Sequence, residues 1–275
     1  MNLTLLGILF QLIFLEGILS IDNAAVLGAM VSALPDDRKV EWPRLLHGFG
    51  ELINPLAGNQ RTAALRVGLL GAYLGRGLML FLASLVIQNS WLKIVGAIYL
   101  VRLAFESLGM PESGEEAQFE QEHKLSGFWL VVLNVELADL IFSIDNVVAA
   151  VSLSKNLWLV MLGVAIGILT MRFAAGLFAK AVLKEPILKT AAYILVLNIG
   201  VQLLLEELGK VEISDILKLA ISLSIIALAL LYAHSKIFQK IRPFFIWLAQ
   251  GMDNINELFN WALVPVKAFF RLLRR

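Results

Sequence analysis

The chain of 275 residues contains no cysteine. That absence excludes a disulfide framework, a thiolate metal site and a dithiol redox motif. Histidine is scarce: His47, His123 and His234 fall in loops or at helix ends, so imidazole ligation of a soft metal inside a bilayer lacks donors. Charge is thin as well. Only 16% of residues are Asp, Glu, Lys or Arg, and the formal net charge is +1, which gives no sign of a nucleic-acid partner. The N-terminus has no basic n-region and no small-x-small cleavage site, and it carries Glu16 inside an apolar run, so it does not read as a cleaved signal peptide. What remains is hydrophobic: 59% of residues, with a mean hydropathy of +0.80. Its apolar runs last about 20 residues, the length that crosses the hydrocarbon core. This is the composition of a polytopic membrane protein.

Against that background one stretch stands out. Asn134-Val-Glu136-Leu-Ala-Asp139-Leu-Ile-Phe-Ser143-Ile-Asp145-Asn146 places three carboxylates and two amides in a run otherwise fit for lipid. A shorter version, Glu16-Gly-Ile-Leu-Ser20-Ile-Asp22-Asn23, lies near the start. Both copies spell Ser-Ile-Asp-Asn, and each has another acid, Glu16 or Asp139, six residues before its aspartate. Ionisable groups at membrane depth are costly and normally mark a pathway or a bound ion. Their duplication predicts a site built by an internal repeat.

The hydropathy pattern predicts seven spans at 3–33, 67–87, 91–108, 127–152, 157–178, 188–206 and 213–233. With the N-terminus outside, the inner side receives Arg38, Lys39, Arg44, Arg61, Lys124, Lys180, Lys184, Lys189, Lys236, Lys240, Arg242, Lys267, Arg271, Arg274 and Arg275. The outer side receives only Lys93, Lys155, Lys210 and Lys218. Fifteen against four orients the chain in the plasma (inner) membrane, N-terminus outside and C-terminus cytoplasmic. The first span then runs inward and the fourth outward, so the motif copies are inverted. Gly71-x4-Arg76 in the second span answers Gly167-x4-Arg172 in the fifth. The expected fold is all-α: seven transmembrane helices as two inverted three-helix repeats plus one, with a site near the midplane.

In domains, residues 1–110 form the first repeat, with a cytoplasmic insertion at 34–65 whose 41–59 portion contains an amphipathic surface segment. Residues 111–125 form an acidic linker, read as a solvated tether. Residues 126–206 form the second repeat and 213–233 the seventh helix. The tail at 240–275 is expected to lie on the inner leaflet, anchored by aromatic rings and terminal arginines.

Helical geometry puts Glu136, Asp139, Ser143 and Asn146 on one face, and Glu16, Ser20 and Asn23 on the matching face of the first span. Asp22 and Asp145 fall about 240° away on a regular helix of 3.6 residues per turn. Either they point elsewhere or the helix breaks near Ser-Ile, and the break is the favoured expectation. Oxygen donors alone (Glu16, Asp22, Asn23, Glu136, Asp139, Asp145 and Asn146) suit Mg²⁺, Ca²⁺ or Mn²⁺ rather than copper or zinc. Arg76 and Arg172 are expected to balance part of the charge, and two arginines do not neutralise five acids. Ser20, Asn134, Ser143, Tyr99 and Tyr193 are candidates for supporting contacts, core packing being the more ordinary use of the two tyrosines. The glycines of spans 2 and 5 read as close-packing positions.

These residues, together with the segment around Arg172 and Ala192-Tyr193, resemble the TerC/Alx family of integral membrane proteins over about residues 8–233. The resemblance implies a Mn²⁺ exporter of the LysE-like group, with Mn²⁺ as transported ion rather than cofactor and no enzymatic activity. It also allows membrane or secretion-machinery partners. The alternatives are a LysE-like exporter of an organic cation or amino acid, and a membrane scaffold assisting metallation of exported proteins. An intramembrane aspartyl protease is disfavoured, because neither aspartate sits in a Gly-x-Gly-Asp context and there are too many acids for a dyad.

Overall fold

The computed structural model describes residues 7, 9–10, 12–13, 21–40, 42, 58–81, 89–109, 127–153, 157–211, 213–235, 240, 242–262 and 264. Side chains of 21, 145–153, 157, 260 and 262 are not part of that description. Among the described residues the chain is helical, without strands: α1 (Ile21–Ser32), α2 (Gln60–Phe81), α3 (Ser90–Leu108), α4 (Phe128–Leu153), α5 (Leu157–Lys184), α6 (Ile187–Gly209), α7 (Asp215–His234) and α8 (Arg242–Ala262). By length and composition, α2, Trp158–Lys184 of α5, α6 and α7 can cross a membrane. The 26 residues of α4 are long enough too, and it is set apart from those four by its acids.

Several ends differ from the hydropathy reading for identifiable reasons. The second helix begins at Gln60 rather than 67 because its polar first turn is satisfied locally. The Asn59 side chain accepts from Thr62 N at 2.9 Å, the arrangement of an N-cap. Arg61 reaches back to Asp36 at 2.8 Å and to the Leu34 carbonyl at 2.9 Å, tying the end of α1 to the start of α2. At the other extreme α5 runs on to Lys184, past the predicted 178, with a basic residue in its last turn where the helix dipole favours one.

Packing is most extensive between α3 and α6 and between α1 and α5, followed by α2 with α4. Two glycines make the closest approaches possible. A Cβ on Gly28 would lie 2.5 Å from the Ala175 carbonyl oxygen of α5. One on Gly200 would lie 3.1 Å from the Ala97 carbonyl oxygen of α3. Such small-residue contacts replace the hydrophobic drive that lipid does not supply between helices. One apolar core joins α1, α3, α4 and α6 around Leu27, Leu100, Val135 and Leu195, and another joins α2, α4 and α5 around Ala72, Ile144 and Ile168.

The last two helices sit outside this bundle. α7 packs on α6 and α1 and has Ser222 as its single buried residue. α8 is amphipathic and packs against α3, with Asp253 beside Gly109. Phe244, Trp247, Leu258 and Trp261 of α8 are exposed. Most of the amphipathic segment expected within 41–59, the acidic linker and the tail beyond 264 lie outside the described residues.

Candidate functional site

The site is assembled from three helices. Arg76 of α2 and Asp139 of α4 are each only 2% exposed, and Arg172 of α5 is nearly as buried. Asp139 uses one oxygen for each arginine: Oδ1 accepts from Arg76 Nη2 at 2.8 Å, and Oδ2 from Arg172 Nη2 at 3.0 Å. Arg172 Nη2 also donates to Glu136 Oε1 at 2.9 Å and to the Gly68 carbonyl at 2.8 Å. Arg76 further meets the thioether of Met171. Among the described residues, two guanidinium groups therefore face two carboxylates. Burying such groups is costly unless they are paired, and Nε and Nη1 of Arg172 are buried without a hydrogen bond among the described residues.

The glycines of α2 divide between two uses. Gly75 permits packing against Leu140, as expected. Gly68 and Gly71, however, give room to the Glu136 carboxylate: a Cβ on Gly68 would lie 2.5 Å from Glu136 Oε1, and one on Gly71 would strike Oε2. Glu136 thus lies flat on a bare stretch of the α2 backbone. Beside it opens a small cleft, with room for about one water-sized particle, lined by Gly71, Ala72, Gly75, Arg76, Glu136, Asp139, Leu140 and Ser143. The face drawn from sequence, Glu136–Asp139–Ser143, does line one space.

Ser143 donates its hydroxyl to the Asp139 carbonyl one turn back. α4 is nonetheless helical from Phe128 to Leu153, straight through Ser143-Ile-Asp145-Asn146. The expected break is therefore corrected for the second copy: without proline or glycine, nothing interrupts the backbone there. Side chains of Asp145 and Asn146, and all of Glu16 and Ser20, lie outside the described residues.

Asp22 stands apart from the arginine cluster. It opens α1, accepts from its neighbour's backbone, Asn23 N, at 2.8 Å, and accepts from Ser222 Oγ of α7 at 3.3 Å. No ion pair holds it among the described residues. Asn23 is buried beside it in the chain. Tyr99 donates to Asn134 at 3.3 Å, and neither Tyr99 nor Tyr193 lines the cleft. Among the described residues no three His, Asp or Glu side chains converge as a ligand set. Glu206 and Glu207, at the end of α6, bind Lys218 at 2.8 Å and Lys93 at 2.6 Å. Ser222 escaped the sequence reading because a serine in an apolar helix usually bonds its own backbone.

Residues 49–242 match the family described as integral membrane protein TerC. The chain is 35% identical over 195 residues to the uncharacterized membrane protein YceF of Bacillus subtilis, covering 69% of this chain and 67% of that one. To YkoY of the same organism it is 35% identical over 223 residues, 75% of this chain and 62% of the relative. To the inner membrane protein YgdQ of Escherichia coli it is 28% identical over 201 residues, 71% and 79%. The match thus spans only about two thirds of either Bacillus relative. No solved structure matches the chain.

Proposed function

The chain belongs to the integral membrane protein TerC family, and from that membership we propose that it exports divalent metal cations, Mn²⁺ before others. The observation that carries the proposal is the partition of the motif acids. Among the described residues Arg76 and Arg172 pair with Glu136 and Asp139. Among the described residues Asp22 has two neutral hydrogen-bond donors and no ion pair. A carboxylate kept in a membrane bundle and held by neutral donors rather than an ion pair is poised for a mobile cation. Oxygen donors without sulfur or imidazole favour a hard divalent ion.

The inverted repeat belongs to the same proposal. Exchanging α1 with α4, α2 with α5 and α3 with α6 carries α1–α5 onto α4–α2, α1–α6 onto α4–α3 and α1–α2 onto α4–α5. The pairs α3–α6, α2–α5 and α1–α4 map onto themselves. The exception is α5–α6, whose short turn at 185–186 has no match between α2 and α3. This pattern supports two equivalent halves with α7 appended, and the excess of Lys and Arg on one side is the reason to propose a cytoplasmic C-terminus with α8 on the inner leaflet. No catalytic activity and no resident cofactor are proposed.

Elemental analysis tests the reading. Cells expressing the chain should hold less manganese and tolerate more of it than cells without it. Unchanged manganese, with zinc or an amino acid altered instead, overturns the reading.

A further inference from the structure

We propose that α7 is the cation-selecting element of the Asp22 site: Ser222 positions the carboxylate, and Lys218 is a tethered ammonium that holds monovalent cations off it. The inference rests on the divalent-export reading and adds to it the basis of discrimination.

It begins with hydroxyls. Ser143, Thr170 and Ser224 each bond a carbonyl one turn back in their own helix. This is what serine and threonine do in an apolar helix. Ser222 instead reaches across to Asp22 Oδ2, and it is the one residue α7 buries. Asp22 Oδ1 is taken by Asn23 N. Both oxygens are therefore oriented by neutral donors while the negative charge stays uncancelled.

Lys218 precedes Ser222 by four residues, so it lies on the same face one turn along. Its ammonium is held by Glu206 Oε1 at 2.8 Å, one turn from the hydroxyl that meets Asp22. A flexible four-carbon stem gives this ammonium two acidic stations, Glu206 and Asp22. A tether raises its effective concentration at Asp22 far above that of a free competitor. A potassium ion brings the same single charge and does not displace it. A divalent ion doubles the attraction to the carboxylate and does, sending Lys218 back to Glu206.

The full chain in proteoliposomes provides the test, with Mn²⁺ flux read by an internal quenched dye. Potassium is exchanged for N-methylglucamine at constant ionic strength. Wild-type flux should ignore the exchange, whereas Lys218→Gln should be inhibited several-fold by potassium and Lys218→Arg should behave as wild type. Ser222→Ala should raise the half-saturating Mn²⁺ concentration by about tenfold, the value of one hydrogen bond to a charged group, with the maximal rate kept. Ser222→Thr should restore it. Glu206→Gln, which removes the alternative station, should raise half-saturation where Lys218→Gln lowers it, so a general folding defect cannot imitate both. Potassium-indifferent Lys218→Gln, or an unchanged half-saturation in Ser222→Ala, overturns this proposal alone. A wild-type protein without divalent flux overturns the transport reading along with it.

Discussion

Asp139 gives one oxygen to each of two arginines, and Glu136 shares the second of them. The consequence is structural before it is functional. Arg172→Ala leaves two carboxylates facing one guanidinium in a nearly dry cluster, and should cost about 3–5 kcal/mol. Thermal unfolding of the detergent-extracted protein would show it. Gly71→Ala is predicted to be harmful by a different route: the new methyl occupies the place of Glu136 Oε2. Overpacking of this kind costs about 1–3 kcal/mol, and Gly77→Ala, which meets nothing within 4 Å, is the control on the same helix. The sequence shows that arginines in apolar runs need acids, and it shows the shared face of Glu136, Asp139 and Ser143. Which acids the arginines take depends on how α2 and α5 dock on α4, a tertiary fact with no local signature. Nor does composition separate Gly71, which carries a carboxylate, from Gly75, which carries a leucine.

At the scale of elements, apolar length located the helices well and their ends less well. Membrane thickness sets where hydropathy stops, whereas caps set where helices stop. Asn59 and Arg61 extend α2 into polar sequence, and Lys184 ends α5 beyond the apolar run. The unbroken α4 has the same lesson from the other side: an unusual motif was expected to bend its helix, yet local chemistry offered no breaker. The inversion of α1 relative to α4 is testable because the chain has no cysteine. Ala33, exposed just past α1, and Trp158, exposed just past α4, can each be replaced by a unique thiol. Ala33→Cys should react only with reagent on the cytoplasmic side and Trp158→Cys only with reagent outside. Labelling of both from one side would remove the inverted arrangement.

For the molecule as a whole, the division of charge separates what holds the bundle from what a cation could use. Apolar packing surrounds Arg76, Arg172, Glu136 and Asp139, which pair with one another. Asp22 lies outside that cluster, joined to the peripheral α7 by a hydroxyl. Neutralising Asp22 should therefore leave the fold intact, since it removes a charge that is already costly in lipid and breaks no ion pair. Neutralising Asp139 should not, because it leaves two buried guanidinium groups facing the Glu136 carboxylate. The paired measurement is Mn²⁺ export alongside thermal stability for Asp22→Asn and Asp139→Asn. Export should vanish in Asp22→Asn with its unfolding temperature held or slightly raised, while Asp139→Asn should lose several degrees, as about 2 kcal/mol or more does for a chain of this size. Normal export by Asp22→Asn would detach the first motif from transport. Equal destabilisation of both variants would mean that Asp22, too, serves the scaffold, and the functional carboxylate would then have to be sought in the second motif, at Asp145.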